Sequence, residues 1–184
     1  MAKVKGVALI NRLEILKQEF GEETLNAVLA EMKPENRDAL NNMLFSSWYN
    51  ADVFRDLNQA ARAVLGKKNP KISEKIGELT AESSLKGVYS SKLKENNVLM
   101  SLNRLPTLWK AFHDTGELEL AEQEEKRAVL RISGYPLPHR EFCDVLVGWG
   151  RRLIELSGGK NVKVTETKCV LDGADCCELT ARWD

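Results

Sequence analysis

Apolar residues recur every three or four positions through the first half of the chain, and every second position through much of the rest. In "VALINRLEILKQEF" Ile10, Leu13, Leu16 and Phe20 share one helical face, with Gly21 at a natural stop. "EETLNAVLAEM" repeats the period through Leu25, Val28, Leu29 and Met32, and Pro34 opens a further turn in "ENRDALNNML". Ser46 or Ser47 is placed to cap the next helix, which carries Val53, Leu57, Ala60, Ala61 and Val64 on one side and ends at Gly66. From Pro70 to Leu93 the spacing predicts a helix that aligns Gly77, Ala81, Ser84 and Val88. Small residues at that spacing either let another backbone come close or leave room for a bound molecule. "VLMSLNRLPTLWKAFHD" keeps helical spacing through Leu102, Leu105, Leu108 or Trp109, and Phe112. Pro106 has no N–H to give, so it starts or kinks a helix there.

After Gly116 the period changes to alternation. "ELELAEQ" sets Leu118 and Leu120 on one side, and "RAVLRIS" does the same with Ala128, Leu130 and Ile132, leaving "EQEEK" as a loop. "PLPHREFCDVLVGWGRRLIELSGG" is a helix carrying Phe142, Val145, Leu146, Trp149 and Leu153, stopped by Gly158 and Gly159, and its "GWG" suits close packing. "NVKVTETKCVL" and "CELTARW" then form a second hairpin around "DGA". A three-residue loop there sets Leu171 opposite Asp175, Val170 opposite Cys176, and Cys169 opposite Cys177. Cys177, Leu179, Ala181 and Trp183 fall on one buried side, and Cys176 on the other, where its thiol would be accessible. The expected fold is α+β, a single domain over 1–184. A helical part, 1–115, packs on a four-stranded antiparallel sheet with a helix between its two hairpins, 116–184.

Composition adds mainly exclusions. Twenty-seven basic and 27 acidic residues cancel, so there is no electrostatic footprint for nucleic acid. Asn11, Arg12 and Glu14 interrupt the first apolar stretch, so no signal-peptide core forms, and no run approaches the roughly 18 apolar residues of a membrane span. A cytoplasmic location with reduced thiols is the expectation. Three of the four cysteines crowd the last hairpin, where free thiols fill cores as small hydrophobes, although a redox-sensitive cross-strand pair remains open. Zinc needs four donors, and paired Cys-x-x-Cys or Cys/His runs are missing. Cys169 and Cys177 are the candidate metal ligands, short of a full set, and no cofactor is expected. His139 and Cys143 stand four apart, a common helical neighbourhood, and no phosphate loop, dinucleotide fingerprint or nucleophile elbow is present. An enzyme is not indicated.

Glu166, Cys169, Gly173, Cys177 and Leu179, closing a helix-strand-strand unit, resemble the C-terminal motif of the 4-vinyl reductase domain, a proposed small-molecule-binding module. "KGVALINRLE", "FGEETL", "SSWY", "LKGVY", "LPTLWKAFHDTG" and "GWGRRLIELSGGK" are similar to an uncharacterised paralogous family of myxobacteria and other deltaproteobacteria, over nearly the whole chain. The resemblance implies the ligand-binding fold shared by haem nitric-oxide sensors and transport-protein-particle subunits, whose members bind haem, hold an acyl chain or dimerise. The sensors' Tyr-x-Ser-x-Arg haem clamp is absent from "VLRISGYP", and "YSSK" from Tyr89 to Lys92 lacks the arginine. Trp109, not His113, matches the axial position, so His113 is expected at the surface or as a helix cap and haem is not expected. What remains is an apolar pocket walled by Trp48, Phe54, Tyr89, Trp109 and Trp149, with the Gly77, Ala81 and Ser84 face beside it. The domain would bind a small apolar or lipid-like ligand and sense it. The alternative is an interaction module whose helices pair as a homodimer or grip a protein partner.

Overall fold

In the computed structural model, which describes residues 1–86, 93 and 96–184, the chain opens with a strand that hydrophobic periodicity does not reveal. Lys3–Lys5 (β1) pairs antiparallel with Trp48–Asn50 (β2). Between them run helices Gly6–Phe20 (α1), Glu22–Glu31 (α2) and Pro34–Asp38 (α3). The pairing draws Trp48–Asn50 out of the expected cap, so Asn50 rather than Ser46 or Ser47 starts Ala51–Leu65 (α4), its Oδ1 accepting from Asp52 N at 3.0 Å. The buried face of α1 also differs from expectation. Leu9, Arg12, Ile15 and Leu16 point inward while Ile10, Leu13 and Phe20 are half-buried, so the inward stripe includes a charged residue and is not the all-apolar one.

Ile72–Lys86 (α5) crosses Arg140–Leu156 (α8) at very close range. A Cβ on Gly77 would overlap Val145 O, and one on Gly148 would overlap Glu74 O, so each glycine makes room for the other helix's backbone. Three arginine-centred pairs flank the crossing, including Arg151 Nη2 to Glu78 Oε1 at 2.6 Å and Arg152 Nη2 to Glu82 Oε2 at 3.1 Å. Between α5 and the sheet lie two short helices, Val98–Leu102 (α6) and Leu105–Phe112 (α7), the second with Pro106 in its first turn.

The sheet is antiparallel with order β3-β4-β6-β5, built from Glu117–Glu124 (β3), Arg127–Ser133 (β4), Lys163–Lys168 (β5) and Cys177–Arg182 (β6). The fold is therefore α+β, with helices in the amino-terminal half and a four-stranded sheet in the carboxy-terminal half among the described residues. Pairing runs further than expected in the first hairpin: Gln123 and Glu124 belong to β3, and only Glu125 and Lys126 connect it to β4. Arg127 Nη1 holds that extension, donating to Glu122 Oε2 and Glu124 Oε1 at 2.7 Å. In the second hairpin the ladder stops at Lys168↔Glu178, and Val170–Asp172 forms one 3-10 turn, closed by Gly173 at φ +90°. Val170 and Leu171 therefore do not pair with Cys176 and Asp175 as strand residues. The alternation of β6 holds, with Cys177, Leu179, Ala181 and Trp183 buried, but Cys176 is buried too.

Candidate functional site

Two features stand out on the inner side of the sheet. The first is a cavity of about 120 Å³ between α8, α7 and strands β4 and β6, with Leu105, Trp109, Leu130, Phe142, Trp149 and Leu179 among its walls. Residues from every layer reach it, since α8 presents Phe142, Leu146 and Trp149 at helical spacing while β4 and β6 present Leu130, Ile132, Leu179 and Ala181 at alternate positions. The amino-terminal helices contribute the polar wall. Asn11 donates through Nδ2 to Ser84 Oγ at 2.8 Å and accepts from Ser83 Oγ at 3.0 Å. Arg12 donates to Asn58 Oδ1, and Asn58 Nδ2 meets His139 Nε2 at 3.2 Å.

His113 lines the same cavity from the end of α7. It is buried, not at the surface, because the main chain of Val4 bridges to it and its ring stacks on Trp109 with centroids 4.3 Å apart. Burial pulls its pKa down to about 4, so the imidazole is neutral at pH 7, and its Nδ1 has no hydrogen-bond partner. Tyr135 and Phe142 complete an aromatic cluster around it, with centroids 5.4 and 5.5 Å away.

The sequence-predicted wall divides accordingly. Phe54, Ser84, Trp109 and Trp149 all border this one cavity. Trp48 does not: β2 carries it to an exposed position under Lys5 Nζ, 4.4 Å from its ring centroid. Gly77 serves the helix crossing, and Ala81 is fully buried in the core beside it. Tyr89 and Val88 lie outside the described residues. Arg12 and His113 were missed as wall residues; the available signal was a charged residue on the Leu9, Leu16 face of an amphipathic helix.

The second feature is a cluster of four donors. Cys169 and Cys177 do lie side by side, with Sγ atoms 3.9 Å apart, and Cys143 of α8 approaches Cys169 Sγ to 3.8 Å. Glu166 completes the set, and the four ligand atoms lie within 4.8 Å of one another. The sequence-predicted pair Cys169 and Cys177 is joined by Cys143 from α8 and by Glu166 beside a β-bulge. Strict alternation would send Glu166 and Cys169 to opposite faces. Glu166 follows Val164 on the inner face, opposite Leu179, and the register shift between Glu166 and Lys168 resets the phase so that Cys169 returns to that face beside Cys177. All four cysteines are free thiols, and His139 turns to Asn58 instead of Cys143.

The donor set fits a tetrahedral metal ion. With Zn–S near 2.3 Å, the edge of such a tetrahedron is roughly 3.8 Å, matching both Sγ separations. Glu166 Oε1 is buried without a hydrogen-bond partner, while its Oε2 accepts from Arg140 Nη1 at 2.9 Å. One oxygen is thus held and the other is free to ligate, the usual division between an outer partner and the metal. Burial pushes the Cys143 and Cys177 thiols up, away from the thiolate. A bound divalent cation would reverse that and deprotonate them.

The fold just described is that of H-NOX domains. An H-NOX protein variant from K. algicida in the unliganded Fe(II) state superposes with a TM-score of 0.71 at 10% identity, over 98% of this chain and 96% of that one. The H-NOX domain from Shewanella oneidensis in the Fe(II)CO state gives 0.71 at 15% identity, over 98% of each chain. An oxygen-binding H-NOX domain related to soluble guanylate cyclases gives 0.69 at 11% identity, over 98% of this chain and 95% of that one. No protein-family model matches the sequence, nor does any curated protein. Haem, which the fold family implies, does not fit the residues present. A cavity of about 120 Å³ is far too small for a porphyrin, and Trp109 lies flat against the one histidine that borders it. Among the described residues no helix is long and apolar enough to cross a membrane.

Proposed function

We propose that residues 1–184 form one domain that works by binding, taking a compact apolar small molecule into the cavity between α7, α8 and the sheet, and that it is related to the 4-vinyl reductase domain. The observation that carries this reading is the cavity itself: an apolar space of about 120 Å³ on the inner side of the sheet, bordered by His113 and Arg12, each of which has a buried nitrogen without a hydrogen-bond partner. Well-packed cores leave few voids larger than a water molecule, and an apolar cavity of roughly 150 Å³ is enough to hold benzene. The ligand is therefore about one ring or a short chain in size. The four-donor cluster acts as a structural zinc site that ties α8 to the β5–β6 end, closed to substrate because the protein supplies all four ligands. Its donors Glu166, Cys169 and Cys177 support the kinship.

Thermal-shift and calorimetric titration with toluene tests the cavity. Toluene is expected to raise Tm, and Ala181→Leu, which fills the space, is expected to abolish the effect while leaving the fold intact. An unchanged Tm at saturating toluene would sink the reading. A second surface favours an interaction role as well: Leu44 and Phe45 are 64% and 52% exposed next to Trp48. Light scattering of the wild type against Phe45→Glu checks it, a loss of dimer in the variant being the expected result.

A further inference from the structure

Arg12 occupies an apolar position. It follows Leu9 and precedes Leu16 on the inward stripe of α1, is 2% exposed, and borders the cavity. Its surroundings do not balance its charge. Nη1 donates to the neutral Asn58 Oδ1, the guanidinium lies 5.2 Å from the centroid of Phe54, and Nε is buried with no partner. Among the described residues no carboxylate forms an ion pair with it. The neighbouring polar groups, Asn11, Ser83 and Ser84, bond to one another, and Asn58 passes its other hydrogen bond to a neutral His139. Burial without a counter-charge pulls the guanidinium pKa down to about 9, which still leaves it protonated at pH 7. A buried, unpaired cation is among the most costly arrangements a fold can hold, and an anion delivered to it gains a charge-assisted, fork-shaped pair in a low-dielectric site.

We propose that the cavity's ligand is a small apolar acid, one ring or a short chain bearing a single carboxylate, and that this carboxylate pairs with Arg12. The proposal rests on the cavity-binding reading above and adds the chemical class of the ligand. The apolar body lies against Trp109, Phe142 and Leu130, and the anionic end meets the wall formed by α1. A dianion would leave one charge unmatched, and a neutral molecule of the same shape would leave Arg12 unpaired.

The test compares benzoate with toluene by calorimetry on the full chain at pH 7 in chloride-free buffer, for wild type, Arg12→Met and Arg12→Gln. Wild type is expected to bind benzoate at least about tenfold more tightly than toluene, the size of a net charge-assisted pair. Both variants are expected to lose that preference, benzoate binding falling at least about tenfold relative to toluene, and circular dichroism reports that they are folded. If only one variant folds, that one decides. Toluene binding with no benzoate preference in wild type would overturn the proposal and leave the cavity reading standing. A benzoate preference that survives in the variants would also overturn it. Binding of neither probe would overturn both. Chloride or inorganic phosphate giving the same Arg12-dependent stabilisation as benzoate would assign the counter-charge to a free inorganic ion and overturn the organic-acid class.

Discussion

Adding one methyl group at Gly148 and one at Gly150 should move stability in opposite directions, although the two glycines sit two residues apart on α8. At Gly148 the new Cβ would land on Glu74 O, a backbone atom of α5 that cannot rotate away. Relief requires α5 to move as a body, and α5 carries Ile72, Ile76, Ala81 and Leu85 into the core. Overpacking of a close-packed site costs about 1–3 kcal/mol, and a backbone obstacle puts this case at the upper end. Replacing glycine inside a helix returns about 1 kcal/mol of backbone entropy, so Gly148→Ala should lose about 2 kcal/mol net. At Gly150 the nearest atom to a new Cβ is Val164 Cγ1 at 3.9 Å, ordinary van der Waals contact, and the same substitution should gain about 1 kcal/mol. The variants should differ by about 3 kcal/mol, or roughly 6–12 °C in Tm for a chain of this size. Urea unfolding followed by circular dichroism measures both. A Gly148→Ala protein as stable as wild type would refute the close crossing of α5 and α8, and with it the packing explanation of "GWG".

Metal analysis of protein expressed in zinc-supplemented medium should find one zinc per chain, lost in Cys143→Ser, with a fall in Tm when a chelator is added. Arg140→Ala should weaken the metal by roughly 10–100-fold in competition titrations, because it removes the donor that holds Glu166 Oε2 and so orients the carboxylate. His113 makes stability pH-dependent: its pKa falls from 6.5 unfolded to about 4 folded, so below pH 6.5 the unfolded chain binds the extra proton. Stability should therefore be fully present above pH 6.5 and decline by roughly 3 kcal/mol as pH drops to about 4, a slope measured by urea unfolding that His113→Phe should flatten. Asn50→Ala should cost about 1 kcal/mol by exposing the first turn of α4, and an unchanged urea midpoint would return the cap to Ser46 or Ser47.

Periodicity determined most of the architecture on its own. A 3.6-residue period needs only local packing on one face, so α4, α7 and α8 were legible, as was the switch to alternation at Gly116 and the buried side of β6. Glu166, Cys169 and Cys177, which carry the resemblance, are brought together by the fold. What sequence could not carry was anything set by long-range placement or by a break in period. The β1–β2 pair is too short to show a period, and the bulge at Thr167 inverts the parity that would have kept Glu166 from the thiols. Cys143 joins the cluster only because α8 lies across the β5–β6 hairpin. Arg12 read as an interruption of an apolar stretch, and the tertiary structure made it a buried cation on a cavity wall. A sequence reports the average preference of each residue type; whether a charge is solvated or sealed in depends on which helix lands on top of it.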